Sequence, residues 1–319
     1  YSLMPNYNGV WSLSTQYQNR TDWPQAPIRG IFGGGRNLDA GANQNVIEFF
    51  NTLSLGNTTD FGDLLGADKG MGACASTTRG VFAGGSGNVI QYITIASVGN
   101  ATDFGDLAAN KSNNAGFSSA VRGVFSGDVN GSYDTMEYIT IANTGNSTDF
   151  GNLSAGRYGL TGLASPTRGV NAGGQNDSGS LNVIDYVTIA SAGNASDFGN
   201  LTNDPRSRPC GLSSNTRGIV AGGYSDSGSA AVNVIQYITI ASTGNASDFG
   251  DLGAAKNGLA GTSNSISGFF AGGDGGGTNF NAIESVVIAT TGNATDFGDM
   301  LAATNNHDAL CGSHGGIAA

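Results

Sequence analysis

Six times along its 319 residues the chain returns to one pattern: a polar residue and a glycine, then apolar residues, then a pair of small residues. The copies open at Arg29-Gly30-Ile31-Phe32, Arg79-Gly80-Val81-Phe82, Arg122-Gly123-Val124-Phe125, Arg168-Gly169-Val170, Arg217-Gly218-Ile219-Val220 and Ser267-Gly268-Phe269-Phe270. Each runs on to an alternating stretch such as Val89-Ile90-Gln91-Tyr92-Ile93-Thr94-Ile95 and then to a landmark, Asn57-Thr58-Thr59-Asp60-Phe61 and its equivalents from Asn100, Asn146, Asn194, Asn245 and Asn293. The openings lie 50, 43, 46, 49 and 50 residues apart. That is the period of a four-stranded propeller blade and too long for leucine-rich or ankyrin units.

The slack is confined to one place. From landmark to next opening the distances are 22, 22, 22, 23 and 22, whereas from opening to landmark they are 28, 21, 24, 26, 28 and 26. A fixed frame with one variable loop per unit, just after the small-residue pair, is how repeat architectures carry a recognition surface.

Each unit reads as four strands. Strand B is the Gly-Val-Phe-Ala-Gly-Gly segment and strand C the β-branched run of period two. Strand D carries Thr-Asp-Phe-Gly-Asp, reached through a Gly-Asn turn. Strand A comes from stretches rich in Gly, Ala and Ser, near 71–76, 115–120, 159–164, 210–214, 259–263 and 309–313, where small side chains suit an innermost strand. The first unit has too few residues before Arg29 for an A strand, and the last A-type stretch, Ala309 to Ser313, has no full B strand after it. The expectation is therefore an all-β, six-bladed propeller over residues 28–319, closed by the C-terminal strand, which removes exposed sheet edges. A seven-bladed ring is the alternative, because Gly316-Ile317-Ala318-Ala319 can begin another B strand and Asn19 to Trp23 mimics the landmark.

Composition agrees with strands and turns. There are 53 glycines, and charged residues make up only 12% of the chain; Glu and Lys, which fill helix surfaces, number three each. A net charge of −11 opposes binding to nucleic acid or to anionic membranes, both of which need clustered Lys and Arg. No apolar run approaches the roughly 20 residues of a membrane helix, so no membrane insertion is expected. The chain opens with Tyr1 rather than Met, which is consistent with a processed product or a segment.

Alternating strand direction puts the A-to-B and C-to-D turns on one face and the B-to-C and D-to-A loops on the other. The first face is uniform, and its repeated Arg residues read as structural. The second varies and supplies the candidate binding residues: Arg36 and Asp39 in the first unit, Tyr133 and Asp134 in the third, Asp177 in the fourth, Tyr224 and Asp226 in the fifth, and Phe280 in the sixth. Its D-to-A loops add Arg157, Tyr158, Arg206 and Arg208, besides Lys256, His307 and Asp308. Isolated Tyr and Arg among Asn, Ser, Asp and Gly is the composition of adaptable binding loops.

Catalysis finds no footing. The two His, His307 and His314, stand in no triad-like grouping. The acid pairs Asp60/Asp63, Asp103/Asp106, Asp248/Asp251 and Asp296/Asp299 recur as a fold feature, not as a single glycosidase or calcium site. Cys74, Cys210 and Cys311 are far apart and odd in number, so neither a disulfide framework nor a zinc site is encoded. No cofactor or metal is expected. The Asn-x-Ser/Thr sites fall regularly at the C-to-D turn, which favours a turn-forming hydrogen bond over glycosylation.

The B strand ending in a glycine pair, with aromatic positions at Phe61, Phe104, Phe150, Phe198, Phe249 and Phe297, resembles the kelch type of propeller, although the kelch Trp is missing. Residues 79–107 and 217–252 more closely resemble repeats of virion proteins of tailed bacteriophages, notably those of marine cyanobacteria. The segment Gly9 to Tyr17, continuing to Trp23-Pro24, is similar to a short element of phage tail and appendage proteins. The resemblance implies a non-enzymatic virion component, a tail fibre or exposed appendage whose loop face binds host-surface polysaccharide. Residues 1–27 would then be an N-terminal arm that docks onto other virion subunits through Trp11, Leu13, Tyr17 and Trp23, in a homo-oligomer or larger assembly; the alternative is an ordered arm packed on its own propeller. Left open are a capsid or tail decoration protein, and a secreted or cell-surface bacterial lectin or adhesin.

Overall fold

The computed structural model describes residues 28–131, 133–202 and 205–317. The expected arm, with Trp11, Leu13, Tyr17 and Trp23, lies outside the described residues. Within them the chain is all-β and propeller-like: six antiparallel four-stranded sheets, one per sequence repeat, plus small two- and three-stranded sheets in the loops. The second repeat shows the plan, with A at Met71–Ala75, B at Arg79–Gly84, C at Val89–Thr94 and D at Thr102–Asp106, each pairing with the next. In the first repeat Arg29–Gly33, Val46–Asn51 and Thr59–Asp63 are joined by the C-terminal strand Asp308–Cys311, whose Leu310 pairs with Ile31. Gly316-Ile317, which a seventh unit would use to begin a strand, lies instead in a buried 3-10 turn, Gly315–Ile317.

Every C–D pair carries a bulge at the same place, between Ile90 and Gln91 in the second repeat. Ile90 faces Gly105 and Gln91 faces Asp103, so Phe104 is the extra residue and turns into the core, 2% exposed. The same bulge buries Phe61, Phe150, Phe198, Phe249 and Phe297. Packing is between sheets: one apolar cluster joins Cys74, Val81, Ile90, Phe104 and Leu107 of the second repeat to Phe125, Ile139 and Ile141 of the third. The inner strands meet backbone to backbone, and a Cβ on Gly116 would sit 2.2 Å from the Ala73 carbonyl oxygen. Hence the Gly and Ala of the A strands.

Three sets of polar contacts tie each repeat to the next. The landmark Asn side chain accepts a hydrogen bond from the last residue of the preceding D strand, Asp63 to Asn100, Asp106 to Asn146, Asn152 to Asn194, Asn200 to Asn245 and Asp251 to Asn293, with Asp299 donating to Asn57. The Arg that opens five of the six B strands lies over the central aromatic of strand C, as Arg79 does 4.2 Å from the Tyr92 ring, and donates to a carbonyl one repeat on, here Ile141 at 2.8 Å. Arg29, Arg122, Arg168 and Arg217 repeat this contact, whereas the sixth repeat has Ser267 and Ser285 instead of the Arg and the aromatic. There Phe32, Phe50, Phe269 and Phe297 pack ring on ring at 4.9 to 5.4 Å between the sixth and first repeats.

The third set is buried. A polar residue of strand C, at the bulge, accepts from the backbone after the preceding D strand: Leu65 to Gln91, Ala108 to Glu137, Ser154 to Asp185, Thr202 to Gln236, Gly253 to Glu284 and Leu301 to Glu48. All three Glu of the chain stand at this position.

Candidate functional site

The D-to-A loops and the B-to-C loops come to one face, where small sheets interlock them. Arg36–Asn37 pairs with Thr304–Asn305, and Arg206–Ser207 with Tyr224–Ser225. Five of the expected binding residues converge between the third and fourth repeats. The Tyr133 and Tyr158 rings lie 6.1 Å apart and 32° from parallel, both half-buried, with Asp177 exposed beside them. The Asp177 carboxylate, hydrogen-bonded to the phenol, raises the Tyr133 pKa above its usual 10, helped by partial desolvation and by Tyr158 and Asp128. Asp134 supports the same loop, its carbonyl accepting from the Leu153 amide, and the Tyr133 carbonyl accepts from the Arg157 amide.

Beneath this platform the Arg157 side chain is not available to a ligand. It is fully buried, its two terminal nitrogens on Asp185 at 3.0 and 3.1 Å and Nη1 also on the Ala155 carbonyl. A charge can stay buried when it is paired and hydrogen-bonded in this way. Lys111 with Glu137 and Lys256 with Glu284 are the equivalent pairs, and Arg206, 1% exposed, takes the same loop position and donates to the Val234 carbonyl. Arg157 and Arg206 thus belong to the frame. Their recurrence two residues before Gly159 and Arg208, as Lys111 stands before Asn113 and Lys256 before Gly258, was the signal in the sequence.

The remaining candidates are dispersed. Exposed Asp226 reaches across to the fourth repeat and accepts from the Ser180 amide at 2.5 Å, and half-buried Tyr224 lies in its small sheet. Exposed Asp39 accepts from Asn279 at 3.1 Å, joining the first and sixth loops, near exposed Arg36. Phe280 is half-buried with Lys256 Nζ 5.2 Å from its ring centre. Arg208 is exposed at the centre of the face, away from the tyrosines' loop.

At that centre six residues, one per repeat, have left-handed backbone: Gly70, Asn113, Gly159, Arg208, Gly258 and Asn306, with φ between 50° and 63°. Each amide donates to the carbonyl of the preceding one at 2.7 to 3.1 Å, and Gly70 donates to Asn306. Sequence reading did not single out Asn113 and Asn306, because their conformation shows only once the repeats are superposed on three glycines.

Among the described residues no group of three or more His, Cys, Asp or Glu is placed to hold a metal ion, and no helix is long and apolar enough to cross a membrane. The three cysteines are free and buried, and burial pushes their thiols up, that of Cys210 to about 12. Neutral thiols of this kind are poor nucleophiles. The chain matches no protein-family model and no curated protein.

Proposed function

We propose that the chain is a six-bladed, kelch-like propeller closed by its C-terminal strand, and that it serves as a non-enzymatic, exposed fibre or appendage component of a tailed-phage virion. The pairing of Asp308–Cys311 with Arg29–Gly33 and the cycle of hydrogen bonds through Gly70 and Asn306 support the closure. The loop face then binds polysaccharide of the host surface. The observation that carries this reading is the Tyr133–Tyr158 pair with Asp177 at its edge: two partly exposed rings offer apolar faces to the C–H side of a sugar, and a carboxylate accepts from its hydroxyls.

The test is binding of the purified chain to host-surface oligosaccharides. Tyr158→Ala should weaken binding about tenfold, matching a loss of about 1.4 kcal/mol. Equal affinity of the variant and the parent chain would remove the tyrosines from the site.

A second reading, a capsid or tail decoration protein, draws on the opposite face. There Leu53, Leu55, Ile266 and Val287 are 52 to 76% exposed in the first and sixth repeats, where the other repeats carry Thr or Ala apart from the exposed Val98 and Val121. Asn264 Nδ2 reaches the Thr52 carbonyl beside them, and Thr52 in turn donates to the Ile28 carbonyl. Exposed apolar side chains grouped at adjacent turns of one face suit contact with another subunit. Copurification with phage particles separates both readings from a secreted lectin.

A further inference from the structure

The central ring of left-handed residues is more than a closure device, because glycine, the residue that adopts this conformation without strain, fills only alternate positions. Between Gly70, Gly159 and Gly258 stand Asn113, Arg208 and Asn306. Each glycine makes room for its neighbour: a Cβ on Gly70 would lie 2.8 Å from Asn113 Oδ1, on Gly258 2.8 Å from Asn306 Oδ1, and on Gly159 3.3 Å from Arg208 Cγ. The two amide oxygens therefore turn along the ring, and among the described residues no acceptor is hydrogen-bonded to the Nδ2 groups of Asn113 and Asn306 or to the guanidinium of Arg208. Three donor side chains, one of them charged, thus surround one cavity of about 70 Å³.

Below the mouth the lining is polar and incompletely partnered. His307 is 4% exposed, and neither ring nitrogen has a hydrogen-bond partner among the described residues; it borders both the mouth and a second cavity of about 110 Å³ between the inner strands. Buried nitrogens of this kind call for water or a ligand in the space they border. Asp308 lines the same two cavities, and burial, with Asp68 nearby, pushes its carboxyl well above 3.8.

We propose that this mouth is a binding site for one small oxyanion, the carboxylate of an acidic sugar or a phosphate substituent, held by the Arg208 guanidinium with the Asn113 and Asn306 amides around it. Arg presents a planar fork that matches such groups in two parallel hydrogen bonds, and amide donors complete the coordination from the sides. The site is separate from the Tyr133–Tyr158 platform and stands whether or not that platform binds glycan.

The test is calorimetric titration of the whole chain with sodium glucuronate, with inorganic phosphate, and with glucose as the uncharged control. Glucuronate or phosphate should bind and glucose should not; whichever anion binds more tightly identifies the source of the oxyanion. Arg208→Gly places at the ring the residue already found at three of its positions, so the fold is kept, and it should weaken anion binding by about tenfold or more. Asn113→Gly/Asn306→Gly should weaken it as well, and Tyr158→Ala should leave it unchanged. Anion binding that survives Arg208→Gly, that is lost in Tyr158→Ala, or that does not exceed the glucose control overturns the proposal.

Discussion

Single side chains at the buried C-strand position show how charge is balanced against burial. Glu137, Asp185 and Glu284 each have a cation from the preceding D-to-A loop, but Glu48 has Thr304 at that loop position and only hydrogen bonds to hold it. Burial raises the Glu48 pKa above 4.5, with Asp60 adding to the rise and the Leu301 and Thr58 hydrogen bonds opposing it. A carboxyl whose pKa is raised by folding stabilises below its unfolded value and loses that contribution as pH rises through the folded one. Glu48→Gln, which copies Gln91 and Gln236, should therefore raise the thermal midpoint at neutral pH, and the gain should vanish below about pH 4; a midpoint that falls at pH 7 would contradict it. His307 has the opposite sign. Burial lowers its pKa from 6.5 to about 3, so the unfolded chain takes up a proton first and stability drains away as pH falls through that interval. His307→Met, the residue at the equivalent Met71 position, should flatten the loss of stability between pH 6.5 and 3. His314, lowered to about 4 by burial, retains its own share of that loss.

At the level of strands and turns, the recurrent residues are mostly joints. The Arg-Gly that opens five of the six B strands was legible as structural from its repetition, and the contact behind it is a guanidinium held between an aromatic face and a carbonyl of the following repeat. Arg122→Ala should destabilise the chain by about 2 kcal/mol, summing a modest cation–π contact and one charged hydrogen bond. Arg122→Lys should recover less than half, since Lys lacks the fork. Urea midpoints of the three proteins decide it, and equal midpoints would mean the contact is surface decoration. The landmark Asn was legible as a turn residue, yet not as the acceptor for the preceding sheet, because that partner lies 37 to 45 residues earlier in the chain, or 242 residues away at the Asp299–Asn57 junction. The buried Arg157 and Arg206 read as ligands in the sequence for a similar reason: a cation in a variable polar loop looks solvated until the acid or carbonyls beneath it are placed. The signal that distinguishes them is the recurrence of Lys or Arg at one loop position in step with an acid or Gln at one strand position.

For the molecule as a whole, the period, the four strands per unit and the pairing of the last strand with the first all followed from spacing, and the six sheets occupy the stretches that spacing assigned. The convergence of Tyr133, Tyr158 and Asp177 was not readable, since each is a single residue in a loop of different length. Two faces of different character result. One is built from near-identical turns that carry several exposed apolar residues, Leu53, Leu55 and Ile266 among them; the other carries the tyrosine platform and the central Arg208. The proposed recognition of a host surface requires the second face to point outward. Electron cryo-microscopy of phage particles with which the chain copurifies tests that directly: the B-to-C loops should face solvent at a fibre or appendage tip, with the Leu53–Ile266 side toward neighbouring subunits. A map in which the tyrosine face is buried against other subunits would contradict host binding and leave a structural role.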